Sequence, residues 1–199
     1  ITVQVLRCQD CGENTLGVEG TFLALMHEGD SKLESAYKLI TDLKTAGLWT
    51  KIQALYPFKG TTAAQHKWNA KNPLDTNAAF RLVFNGGWTH SSTGALPNGT
   101  NAYANTFFYT TNWTTKDNAH LSYYSRTNGA NSSIEIGLFN TAPDSTGYNT
   151  ALTTRYTGDL FYANLAISYN SGPLSIANTD GRGHFMANRN AANSQKGFK

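Results

Sequence analysis

The chain has 199 residues, a formal net charge of +3, 40% hydrophobic and 15% charged residues. It has no apolar run near the ~20 residues that a membrane-spanning helix needs, and its charge is too small to argue for nucleic-acid binding. Charged residues fall well below the usual ~25%, while 20 Asn, 25 Thr, 18 Gly, 10 Tyr and 10 Phe exclude a disordered chain and point to a β-rich fold with many polar turns.

Three textures follow one another: an N-terminal arm or attachment segment over 1–30, a helical segment over 31–58, and a β-sandwich over 59–199. In the arm, Ile1, Val3 and Val5 alternate with Thr2 and Gln4 as in a strand. A turn at Asp10-Cys11-Gly12 and a short apolar run, Thr21 to Met26, follow. So small a piece must pack on the rest of the chain or on another subunit.

A helix is predicted next. Ser31 and Glu34 have capping-box spacing. Leu33, Ala36, Tyr37, Ile40 and Leu43 share one face, expected to pack on a sheet, and Gly47 is a good C-terminal stop. Leu48, Trp49, Ile52 and Leu55 suggest a second short helix, ended by Pro57.

From Ala79 the period changes to two, with Phe80, Leu82 and Phe84 alternating with Arg81 and Val83. Further strand candidates are Thr106 to Thr111, Leu121 to Arg126, Ser133 to Phe139, Leu152 to Tyr156, Phe161 to Ser168 and Gly183 to Asn188. Turn signals separate them: Asn98-Gly99, Asn128-Gly129, Thr157-Gly158-Asp159, Ser171-Gly172-Pro173 and Asp180-Gly181. About seven short strands at this spacing predict a mainly β protein, an antiparallel β-sandwich or jelly roll with one or two N-terminal helices.

Several stretches resemble a phage family. They are Leu43-Lys44-Thr45-Ala46-Gly47-Leu48-Trp49, Ala54-Leu55-Tyr56-Pro57-Phe58, His66-Lys67-Trp68-Asn69, Asn72-Pro73, the long run from Gly87 to Ala104, His120 to Thr127, and Ala187-Asn188-Arg189. Together they are similar to virion structural proteins of tailed phages and prophages of Bacteroidetes hosts, over about 39–199. The resemblance implies a concanavalin A-like, laminin-G-like sandwich located in the virion. It also implies further strands and a terminal helix beyond Lys199: either these follow in a longer chain, or strands from another copy or chain close the sandwich. The partners implied are other virion subunits and copies of the chain itself, with no membrane insertion, no nucleic acid and no cofactor.

Candidate chemistry is sparse. Glycoside hydrolysis needs two carboxylates flanking the scissile bond. Past residue 70 the acids are Asp75, Asp117, Glu135, Asp144, Asp159 and Asp180, none two positions from another. Glu135 is the one candidate for a polysaccharide depolymerase, and a solvent-facing strand residue is its ordinary role. Cys8 and Cys11 are half of a zinc knuckle. With His27 or a partner chain they form a metal site; otherwise they are a disulfide or two structural thiols.

A glycan site is the sharper alternative. Trp88, His90, Asn98, Asn101 and Tyr103 combine ring faces with amide and imidazole groups in one Gly-rich segment, as host-surface sugars require of an adhesin. The competing role for the same residues is to fill the core and brace a long connection. After Asp180 the chain holds Arg182, Arg189, Lys196 and Lys199 and no acid, a basic edge fit to face DNA inside a particle or an acidic glycan; a solvated surface is the ordinary role of such a run. The leading expectation is a non-enzymatic structural component of a phage particle (a surface, fibre or tail module) acting in assembly.

Overall fold

The computed structural model describes residues 30–109, 112, 117–130, 132–138, 148–168, 173–192 and 194–199, with the side chains of 30–34, 148–149 and 166–168 left aside. The expectations for the N-terminal arm, including Cys8, Cys11 and His27, lie outside these residues, as do the side chains of Ser31, Leu33 and Glu34. The protein is mainly β, with antiparallel sheets and, among the described residues, two α-helices. Contacts divide it into two compact units, Ile1–Phe107 and Phe108–Lys199.

In the first unit, helix α1 (Asp30–Thr45) ends as its sequence dictates. Gly47 adopts φ +67°, its N–H reaches the Lys44 carbonyl, and the Leu48 N–H reaches Leu43. These are the two reverse bonds of a glycine-stopped helix. Ala36 and Ile40 are buried against Ala70, with Trp49, Leu55 and Trp68 around them. Two expectations need correction. The helix packs on an irregular segment rather than on a sheet, and Tyr37 is 54% exposed, because the buried stripe is narrower than the apolar pattern.

The second helix expected over 48–55 is only a 3-10 turn, Trp49–Lys51. Tertiary bonds pull its continuation into extended backbone. Buried Asn69 accepts from the Leu55 and Lys71 N–H groups through Oδ1, at 2.9 and 3.1 Å. It donates through Nδ2 to the Ala79 carbonyl at 3.0 Å. The Ala70 N–H donates to the Leu55 carbonyl. One amide therefore holds three separate pieces of backbone where no ladder does.

The same capture shortens the strand expected from residue 80. Asn77–Ala79 is a 3-10 turn, Phe80 is left-handed (φ +59°) with its carbonyl accepting the Tyr56 hydroxyl, and the Leu82 N–H goes to Lys67. Strand β1 is only Val83–Asn85 and pairs with β4 (Tyr103–Asn105). Between them lies a hairpin absent from the sequence reading, β2 (Trp88–Ser91) with β3 (Gly94–Pro97). Residues 106–109 are not a strand: Asn105 Oδ1 accepts the Phe107 N–H and turns the chain.

Among its described residues the second unit holds two antiparallel sheets. One has the order β6-β7-β8-β9, with β6 Ile136–Leu138, β7 Tyr148–Tyr156, β8 Leu160–Ser168 and β9 Leu174–Ala177. The other has the order β11-β10-β5, with β5 Ala119–Ser125, β10 Gly183–Ala191 and β11 Ser194–Phe198. Leu152, Phe161, Ala163 and Leu165 of the first sheet meet Phe185 and Ala187 of the second in one cluster, with Leu121, Tyr123, Ile136 and Leu174 packed on it. Gly197 sits where a Cβ would lie 2.4 Å from the Leu174 side chain and 2.7 Å from Phe161, so a larger residue must displace the packed Phe161 ring.

Arg189 corrects another expectation. It is 4% exposed rather than solvated. Its guanidinium donates to the Leu165 and Ala192 carbonyls and pairs with Asp117 at 2.8 Å. A fixed planar fork suits this, since it meets two carbonyls and a carboxylate at once.

Asn69→Ala should lower the unfolding free energy of the first unit by about 2–4 kcal/mol, because it strands several buried backbone groups at ~1–3 kcal/mol each. Urea denaturation followed by Trp fluorescence checks this; a loss under ~0.5 kcal/mol, the size of an ordinary surface change, contradicts it.

Candidate functional site

The first unit gathers rings around the β2–β3 hairpin. A capping box starts the four-residue helix α2 (Ala63–His66): Thr62 accepts the Gln65 N–H, and Gln65 accepts the Thr62 N–H. This sets His66 beside the hairpin, where its Nδ1 lies 2.9 Å from His90 Nδ1 and its Nε2 lies 3.1 Å from the Gly60 carbonyl. A carbonyl only accepts, so His66 carries its proton on Nε2 and takes one from His90 on Nδ1. His90 then keeps Nε2 as the basic nitrogen of the pair. Phe58 meets His66 edge-on, Phe84 meets both His90 and Trp88 edge-on, and Trp88 stacks on His90.

Burial pushes both imidazoles below their ordinary pKa of 6.5, and for His66 the charge of His90 adds to this against the opposing Gly60 bond. A doubly protonated pair would set N–H against N–H.

The five glycan candidates separate into two arrangements and an outlier. Trp88 and His90 belong to the ring cluster, where the Trp88 indole N–H donates to the Asn85 carbonyl. Asn98 and Asn101 instead lock the connection from β3 to β4. Asn98 Oδ1 accepts the N–H groups of Thr100, Asn101 and Ala102, its Nδ2 donates to Asn101 Oδ1, and Asn101 Oδ1 also takes the Gly87 N–H. The approach is so close that a Cβ on Gly87 would lie 2.5 Å from Asn98 Nδ2, and one on Gly86 2.3 Å from the Asn101 carbonyl. Tyr103 stands apart on β4, 61% exposed. Both amide oxygens and the Asn98 Nδ2 are thus engaged within the loop.

Glu135 is also bound internally: its two oxygens accept the Thr154 N–H and hydroxyl at 3.0 and 3.1 Å. Its charge adds to burial in raising the pKa of Tyr123.

In the second unit the structure builds a group around Lys196 that the sequence, which offers this residue only as part of a basic edge, does not assemble. On the β11-β10-β5 sheet, Phe185 and Ala187 face the core, so Met186 and Asn188 face outward with their cross-strand partners. His120, Asn188 and Lys196 form one row, and Ser122, Met186 and Phe198 the next. Tyr124 beside His184 forms a third. His120 Nδ1 lies 2.5 Å from Asn188 Oδ1. A cavity of about 270 Å³ opens at this end, lined by His120, Asn188, Lys196 and Phe198 among others. Among the described residues no group of three or more His, Cys, Asp and Glu could hold a metal ion.

No family model matches the chain, and comparison with curated proteins and with solved structures finds no match either.

The histidine pair predicts a pH dependence with a definite sign. Folded imidazoles with depressed pKa leave more protons on the unfolded chain, so stability is full above about pH 6.5 and falls as the pH drops below it. His90→Phe, which keeps the ring packing without a titratable nitrogen, should flatten this fall while costing about 1 kcal/mol near neutrality. Thermal unfolding of the first unit from neutral to mildly acidic pH measures it. Asp75 and Asp180, held low chiefly by their Lys67 and Arg182 partners, contribute only below their ordinary 3.8. Equal slopes in wild type and variant contradict the assignment.

Proposed function

We propose that the chain is a non-catalytic structural component of a bacteriophage particle, a rigid module placed at a surface, tail or fibre and acting through subunit contacts. In this reading Phe108–Lys199 is a concanavalin A-like sandwich, its two sheets joined by the cluster around Phe161 and Phe185. The first unit is the part that carries the attachment segment.

One observation carries the proposal. Three of the stretches that resemble virion proteins brace backbone. Asn69 of His66-Lys67-Trp68-Asn69 holds residues 55, 71 and 79. Gly87, Asn98 and Asn101 of the long run close the β3–β4 connection. Arg189 of Ala187-Asn188-Arg189 is a buried ion-pair hub. A motif built from such residues preserves shape, and shape is what a repeated particle position requires. Sheet edges would supply the contact: β5 and β11 flank one sheet, β6 and β9 the other, and among the described residues each of these strands has one ladder neighbour. Such edges accept a strand from a neighbouring subunit.

Purified particles from a host carrying this sequence, analysed by quantitative mass spectrometry and antibody labelling, test the reading. The chain should be present in a fixed, multiple copy number, and Gly87→Ala should reduce its incorporation. Its absence from purified particles, with free chain in the lysate, would contradict the proposal.

A further inference from the structure

We infer that the outer face of the β11-β10-β5 sheet is a binding site for an acidic saccharide, gripped by Tyr124 and Phe198 as ring platforms and by Lys196, His120 and Asn188 as polar contacts. This goes beyond the structural role proposed above and does not depend on it.

The face is built by strict alternation. Along β11, Gln195 turns inward to accept the Leu165 N–H and Gly197 lies against Phe161, so Lys196 and Phe198 turn outward. Along β5, Leu121 and Tyr123 join the core, which sends His120, Ser122 and Tyr124 outward. Tyr124 is 67% and Phe198 46% exposed. The register sets them diagonally, two strands and two residues apart. At ~4.8 Å per strand and ~3.4 Å per residue that is about 12 Å, a span of two to three sugar rings in an extended chain. Large rings left to water on a polar sheet are platforms for the apolar faces of such rings.

Polar groups surround the platforms. With Asn188 Oδ1 accepting from His120 Nδ1, the pair still offers the imidazole Nε2 as acceptor and the amide Nδ2 as donor. Acceptor and donor side by side match vicinal hydroxyls. The cavity at this row, about 270 Å³, sits just under the ~300 Å³ of small-ligand sites and suits one ring. Arg189 keeps the cavity floor in place through its bonds to Leu165, Ala192 and Asp117.

Charge selects the acidic class. Of the eight outward side chains, Lys196 carries a formal charge, two are imidazoles and none is a carboxylate. The flanking acids are committed: Asp117 to Arg189, and Asp180 to Arg182 by a two-pronged pair. Among the described residues, a sugar carboxylate at Lys196 therefore meets no competing anion on this face. One lysine is too little for a nucleic-acid backbone, whose recognition uses many phosphate contacts.

The test titrates the whole chain with tetragalacturonate and with neutral maltotetraose, by calorimetry and by backbone NMR shifts. Saturable binding of the uronate is expected, with shifts centred on residues 119–124, 184–188 and 196–198. Lys196→Gln should weaken it about tenfold, the worth of one charge-assisted bond, and Tyr124→Ala by a similar factor. Both positions are exposed, and a retained thermal transition confirms folding. Maltotetraose should bind at least about tenfold more weakly. The inference is overturned by no saturable uronate binding, by undiminished binding in both variants, or by equal affinity for the neutral sugar. Self-association that Lys196→Gln or Tyr124→Ala abolishes, without sugar binding, would assign the face to a second copy of the chain and likewise overturn it.

Discussion

The structure depends on one constraint: backbone N–H and C=O groups outside a ladder must still find partners. Here short polar side chains provide them. Asn69 joins residues 55, 71 and 79, Asn98 gathers three successive N–H groups, and Asn178 holds the Thr154 carbonyl from a buried position. Asn128 Oδ1 takes both the Gly181 N–H and the Arg155 guanidinium, and Lys199 reaches Asn178 and the Asp180 carbonyl. The high Asn content, which composition alone reads as turns, is in large part a set of clamps. Each replaces several ladder bonds by one amide, so irregular segments become as specific as strands.

Legibility in the sequence follows from this. Elements whose bonds are local were readable. Gly47 stops its helix, Thr157-Gly158-Asp159 turns β7 into β8, and the alternation over 121–125 and 183–188 lies within strands, with Arg126 just past the end of β5. The capping box at Thr62 and Gln65 was equally local and marks the short helix that carries His66. Elements decided by distant partners were not readable. The apolar stripe over 48–55 loses its helix to Asn69, and Phe80 leaves its strand pattern for a left-handed turn that Tyr56 holds. β11 carries little apolar signal, because its inward positions are Gln195 and Gly197.

The same logic separates the candidate residues. Trp88, His90, Asn98, Asn101 and Tyr103 share a segment, yet sheet geometry sends the first two into a ring cluster and the middle two into a loop lock. His120 is far in sequence from Asn188 and Lys196, which face each other across one hairpin, and antiparallel register makes all three adjacent in space. Only pairing across three strands makes them a group, and no motif within one stretch announces it. Inward residues of this sheet build the core, while the alternate ones form the surface available to a ligand.

Amide hydrogen exchange on the β3–β4 connection tests the clamp principle most directly. In the wild type, Thr100, Asn101 and Ala102 should exchange slowly although they lie outside any strand, as bonding to Asn98 requires. Asn98→Ala should bring all three to rapid exchange, while Asn98→Asp, which retains an acceptor oxygen, should keep most of the protection. Rapid exchange of these three amides in the wild type would contradict the account.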